Sequence, residues 1–223
     1  MNVLLFGATG MVGQGVLHEC LLDPDVERVL AIGRALLGRQ HEKLRELVRR
    51  DLSDYSDVEN ELSGFDACFF CLGVSSAGMK EEDYRRLTCD LTLAAAKTLA
   101  KLSPGMTFIY VSGAGTDSSE RGRSMWARVK GKTENDLLRL PFKAAYMFRP
   151  AAIQPLHGVT SRTRSYRVLY FLSGWMLPLL KPLFPKYITT TEQVGRAMLS
   201  VAKHGYPKRI LENNDINSFK NAG

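Results

Sequence analysis

Three glycines, Gly7, Gly10 and Gly13, follow the apolar run Asn2 to Phe6 and open a segment whose apolar residues recur at helical spacing. Glycines between a strand and a helix permit a tight turn and let backbone N–H groups approach a pyrophosphate at the positive end of the helix. The spacing is G-x-x-G-x-x-G, not the G-x-G-x-x-G of the usual dinucleotide fingerprint. Gly7, Thr9, Gly10, Met11, Val12 and Gly13 are therefore the candidate phosphate contacts, against the alternative of a purely architectural glycine turn. Where an acidic side chain would accept bonds from a ribose 2′-hydroxyl, the second apolar run ends in Gly33-Arg34. An arginine there can pair with a 2′-phosphate, which favours NADP(H) over NAD(H). A solvated loop cation is the other reading of Arg34.

The elements that must position these residues alternate along the chain. Strands are expected at Asn2 to Gly7, Arg28 to Arg34, within Leu44 to Asp54, at Asp66 to Gly73, Met106 to Gly113 and Ala144 to Pro150. Helices are expected at Met11 to Leu22, stopped by Asp23-Pro24, over a long stretch from Glu81 to Leu102, and from Ser124 to Leu140. This rhythm is that of a doubly wound α/β domain with a parallel sheet. It breaks after Pro150, where a Pro- and aromatic-rich small lobe, about 151–190, is expected within a single domain of residues 1–223. Thr189 and Glu192 then offer a capping box for a helix ending at His204-Gly205, and a last strand follows near Ile210.

The chain has 223 residues, a net charge of +7 and a pI near 9.3. No cationic leader with an apolar core opens it, so a cytoplasmic protein is expected. The most apolar run, Val168 to Leu180, is interrupted by Gly174 and Pro178 and is too short to cross a bilayer. Cys68 and Cys71 spell C-x-x-C, but positions three apart on a strand face opposite ways, which suits neither a redox pair nor a metal clip. The four histidines have no paired ligand spacing, and no metal site is expected. From Leu138 to Thr190 there is no acidic residue, while Arg139, Lys143, Arg149, Arg162, Arg164, Arg167, Lys181 and Lys186 fall there. Such a surface favours an anionic cofactor or substrate, or a membrane face, unless it is only a solvated basic surface.

The glycine spacing, Arg34, Arg50-Asp-Leu-Ser-Asp54, Cys71-Leu-Gly-Val-Ser-Ser76, Tyr110-Val-Ser-Gly113, Lys130 and Phe148-Arg-Pro150 together resemble the short-chain dehydrogenase/reductase superfamily. Within it the chain is similar to the atypical and extended branches, which hold NmrA-like and nucleotide-sugar-epimerase-like proteins. The resemblance implies that Asp51 and Leu52 flank the adenine, Leu72 and Gly73 line the ribose, and Pro150, Ala151 and Ile153 pass beside the nicotinamide. It also implies a serine that orients substrate, matched by Ser112, and a lysine that binds the ribose, matched by Lys130. The proton-donating tyrosine of that superfamily stands four residues before the lysine, on the same helical face. Here that position is Trp126, and an indole cannot do a phenol's acid–base work near neutral pH.

Two functions are open on these residues. One is an NADP(H)-binding oxidoreductase-like protein acting on a carbonyl or alcohol carbon of a small, partly apolar or anionic substrate, with Tyr84, Tyr166, His157 or water replacing the phenol. The other is a non-catalytic dinucleotide sensor or scaffold. Cations and aromatics interleave over 162–187, which could close over a substrate, lie on a membrane or meet a protein partner. Nucleic acid is not expected, because these cations follow no reading motif.

Overall fold

The computed structural model describes residues 1–159 and 187–219. Its strands are β1 (Asn2–Phe6), β2 (Arg28–Gly33), β3 (Leu44–Val48), β4 (Ala67–Phe70), β5 (Thr107–Val111), β6 (Ala144–Arg149), β7 (Ala152–Gln154), β8 (Ile188–Thr190) and β9 (Ile210–Glu212). Seven of them form a parallel sheet in the order β3-β2-β1-β4-β5-β6-β9, and β7 pairs with β8 in parallel beside it. The expected doubly wound α/β fold is thus present. Sheet order reverses between β1 and β4, and ligands of open α/β sheets bind in the crevice beyond the strand ends at such a switch point.

The apolar run of β1 is continuous because both its faces are covered. Val3 and Leu5 pack with Val16, Cys20 and Phe148, while Leu4 and Phe6 pack with Tyr55, Phe70 and Phe108 on the opposite face. The same alternation separates the cysteines: Cys68 lies in the second layer, and Cys71 packs against the first. Both are free thiols.

Helix α1 (Met11–Leu22) covers the first face together with α5 (Thr191–His204). They approach closely: a Cβ on Gly15 would lie 2.5 Å from the Thr191 Cβ, and one on Gly195 would lie 2.7 Å from the Glu19 Cγ. The opposite face is covered by α3 (Leu91–Leu102) and α4 (Met125–Leu138). The long helix expected from Glu81 to Leu102 is present without a break and needs one refinement: it runs as α2 (Glu81–Arg85), a π-helical turn at Arg86–Asp90, and α3. Within this stretch the Thr92 hydroxyl donates to the Thr88 carbonyl at 2.5 Å, the back-bonding by which threonine perturbs a regular helix.

Two further expectations need correction. The cap of α5 is Thr190, the last residue of β8, whose hydroxyl accepts from the Gln193 N–H at 3.0 Å; the helix begins one residue later than a Thr189 cap requires, so no Thr189–Glu192 box forms. Arg149 is no surface cation but a buried one, paired with Glu134. The last strand is present as β9, and α6 (Asn213–Ser218) follows it. No helix among the described residues is long and apolar enough to cross a membrane. Most of the expected small lobe, with Tyr166, Trp175 and the cations from Arg162 to Lys186, lies outside the described residues.

Candidate cofactor site

Gly7 leaves β1 with φ +78°, the left-handed region that suits glycine. A Cβ there would lie 2.6 Å from the Leu72 nitrogen, and one on Gly13 would lie 2.2 Å from the Gly7 carbonyl oxygen. Side chains are thus excluded at both positions, and the turn closes through the Gly10 N–H donating to the Gly7 carbonyl at 2.9 Å. Gly10 is the N-cap of α1, with no side-chain cap and no acidic residue in the first turn. The first N–H groups of a helix have no acceptor within the helix. Those of Met11, Val12 and Gly13 therefore make up a candidate anion cradle at the positive end of the helix dipole.

Around this cradle the other candidates fall unequally. Leu72 and Gly73 leave β4 directly beside Gly7, Leu72 half-buried and Gly73 exposed. Asp51 is exposed, and its carboxylate accepts from the Ser53 hydroxyl at 2.6 Å and the Ser53 N–H at 2.8 Å, which holds it below the usual carboxylate range. Leu52 is instead buried in the core. Arg34 is exposed just beyond β2. A second arginine that the sequence reading did not single out, Arg39, lines a cavity of about 330 Å³ together with Thr9, Gln14, Leu37 and His18. The loop carrying it is tied down by the Leu37 N–H donating to the Glu46 carboxylate at 2.7 Å.

At the end of β5, Lys130 is half-buried, and its Nζ donates to the Ser112 carbonyl at 2.7 Å. Burial pushes the Lys130 ammonium down to about 8, against a smaller upward pull from Glu134. The Ser112 hydroxyl faces the interior, donating to Glu134 Oε1 at 2.5 Å, with the Phe148 carbonyl at 3.2 Å. Glu134, fully buried, also takes the Arg149 guanidinium on both carboxylate oxygens, and Arg149 reaches Glu212 and Ser118. Glu134 thus joins β5, β6 and, through Arg149, the β9 edge; Ser112 and Arg149 were both legible in the sequence, and Glu134, which connects them, was not.

Trp126 sits one turn before Lys130 on α4, half-buried against a cluster of Tyr84, Cys89 and Val129. Tyr110 is buried in β5, and burial raises its phenol well above the ordinary range. Beyond β6, Pro150 accepts from the Ala114 N–H at 2.9 Å, and the Ala151 N–H donates to Asn213 Oδ1 at 2.9 Å. Ile153 is buried and pairs with Thr189. His157 is not at this end of the site: its ring lies 4.6 Å from that of His18 on α1.

A family model described as the NAD dependent epimerase/dehydratase family matches residues 3–122, which include the glycine turn and end before α4. Protein FMP52, mitochondrial, of Saccharomyces cerevisiae is 34% identical over 169 residues, 74% of this chain and 69% of that protein. Protein FMP52-2, mitochondrial, of Scheffersomyces stipitis is 27% identical over 155 residues, 68% of this chain and 66% of the relative's length. Among solved structures, the Bordetella bronchiseptica enzyme WbmF in complex with NAD+ superposes with a TM-score of 0.68 at 14% identity, covering 95% of this chain and 72% of that one. The relatives' names overturn the cytoplasmic expectation: several are mitochondrial proteins.

Proposed function

Because the chain belongs to the NAD dependent epimerase/dehydratase family, we propose that it is a mitochondrial oxidoreductase-like protein that binds a nicotinamide dinucleotide, NADP(H) in preference, and acts on a carbonyl or alcohol carbon. The observation that carries this reading is the glycine cradle. Gly7 and Gly13 have no room for a Cβ, and the N-terminus of α1 behind them carries no acidic side chain, which fits a bound pyrophosphate. Arg34 and Arg39 supply positive charge on the β2 side for a 2′-phosphate.

When bound, the dinucleotide supplies hydride chemistry. On the protein side, Lys130 holds the ribose hydroxyls. Its ammonium, brought down to about 8 by burial, is also the group in this region best matched to giving up a proton near neutral pH. Ser112 contributes through its carbonyl, which fixes Lys130, while its hydroxyl ties β5 to Glu134. Leu72, Gly73, Pro150, Ala151 and Ile153 border the cofactor.

The test is a titration with NADPH and, separately, NADH, followed by tryptophan quenching. Micromolar binding that favours NADPH supports the reading; no binding of either nucleotide ends it. Trp126 favours a second reading, a cofactor binder without turnover, because it removes the phenol that Lys130 would tune.

A further inference from the structure

The two histidines brought together by the fold lie outside the cradle. His18 is on the solvent side of α1, and His157 is in the loop after β7. Ligand atoms of His18, His157 and Glu19 all lie within 4.8 Å of one another. We infer that these three side chains form a site for a divalent transition-metal ion of the zinc class.

The donor set supports this assignment. Two imidazoles and one carboxylate suit zinc and its neighbours, whereas magnesium and calcium prefer oxygen alone. Tetrahedral bonds of about 2.0–2.1 Å place ligand atoms roughly 3.4 Å apart, so closure asks for side-chain rotations of about an ångström. His157 is positioned for this: it adopts φ +55°, a conformation that costs a non-glycine residue energy and persists only where the surroundings hold it.

What holds it resembles the outer shell of a metal site. The Glu192 carboxylate lies 3.0 Å from His157 Nε2, which orients the ring and leaves Nδ1 free as a donor to a metal. Arg196 Nε donates to Glu19 at 2.9 Å, and its terminal nitrogen to Glu192 at 3.0 Å. One guanidinium thus aligns both carboxylates. His18 and His157 also line the 330 Å³ cavity that reaches Thr9, so an ion with three protein ligands would have coordination positions open toward it.

The experiment is equilibrium titration of the full chain with Co²⁺, in nucleotide-free and phosphate-free buffer, with Zn²⁺ as competitor. The expected result is one ion per chain, visible-region absorption of nitrogen and oxygen ligands without a thiolate charge-transfer band, and displacement by Zn²⁺. His18→Ala, His157→Ala and Glu19→Gln should each weaken binding at least tenfold. His41→Ala and His204→Ala, which replace the other two histidines, should leave it unchanged. His157 is exposed, so its variant keeps the test open if His18→Ala or Glu19→Gln folds poorly. Absence of binding, a thiolate band, or unchanged affinity in His157→Ala would overturn the assignment. Nucleotide plays no part in this titration, so its outcome is separate from that of the cofactor reading.

Discussion

The Ser112 hydroxyl donates to the buried Glu134 carboxylate, so the serine expected to orient substrate is bound into the interior of the fold. Removing one member of a buried pair strands its partner's charge, and Glu134→Ala, which leaves Arg149 only the more exposed Glu212 carboxylate and Ser118, should cost about 3 kcal/mol. Ser112→Ala, which deletes one neutral donor, should cost about 1–3 kcal/mol. Urea unfolding of the two variants checks the order. Loss of activity in Ser112→Ala with unchanged stability would assign the hydroxyl to substrate instead.

Lys130 should link cofactor binding to pH. Its charged form titrates near 8, so NADPH affinity should fall as pH rises through that value and be flat in Lys130→Met. Around pH 7 the variant should bind about tenfold more weakly. The effect on folding has the opposite sign. Between about 8 and the ordinary 10.5 the unfolded chain holds more protons than the native one, so stability gains from Lys130 as pH rises across that window. Calorimetry at pH 7.5 and 10 should therefore find this gain missing in Lys130→Met.

The arginines separate the two cofactors. Arg39→Ala and Arg34→Ala should each weaken NADPH several-fold and leave NADH nearly unchanged, because only the former carries a 2′-phosphate. Equal losses for both nucleotides would remove the arginine concerned from this role.

Two glycines are expected to fail in different ways. Gly13→Ala sets a Cβ against the Gly7 carbonyl and should abolish nucleotide binding at a smaller cost in stability. Gly131→Ala would set one 1.8 Å from the Asp117 carbonyl, where α4 rests on the loop after β5, and should mainly lower the melting temperature. Thermal shift with and without NADPH distinguishes them.

Trp126→Tyr restores a phenol one turn before Lys130. Turnover of carbonyl substrates in the variant alone would identify the natural chain as a binder; turnover in both would favour Lys130 or water as proton donor.

What the sequence by itself determined was local or periodic. The alternation of apolar strands and helices, the glycine turn at the end of β1, the stop at Asp23-Pro24, and the opposed faces of Cys68 and Cys71 follow from backbone geometry within a few residues. Tertiary structure decided the rest. Glu134 meets Ser112 and Arg149 only because α4 packs beside β5 and β6, and His18 meets His157 only because the loop after β7 folds back onto α1. The N-cap is Thr190 and not Thr189 because β8 runs through Thr190 before the helix begins at Thr191. Such contacts join residues far apart in the chain through packing, and no spacing rule carries that information.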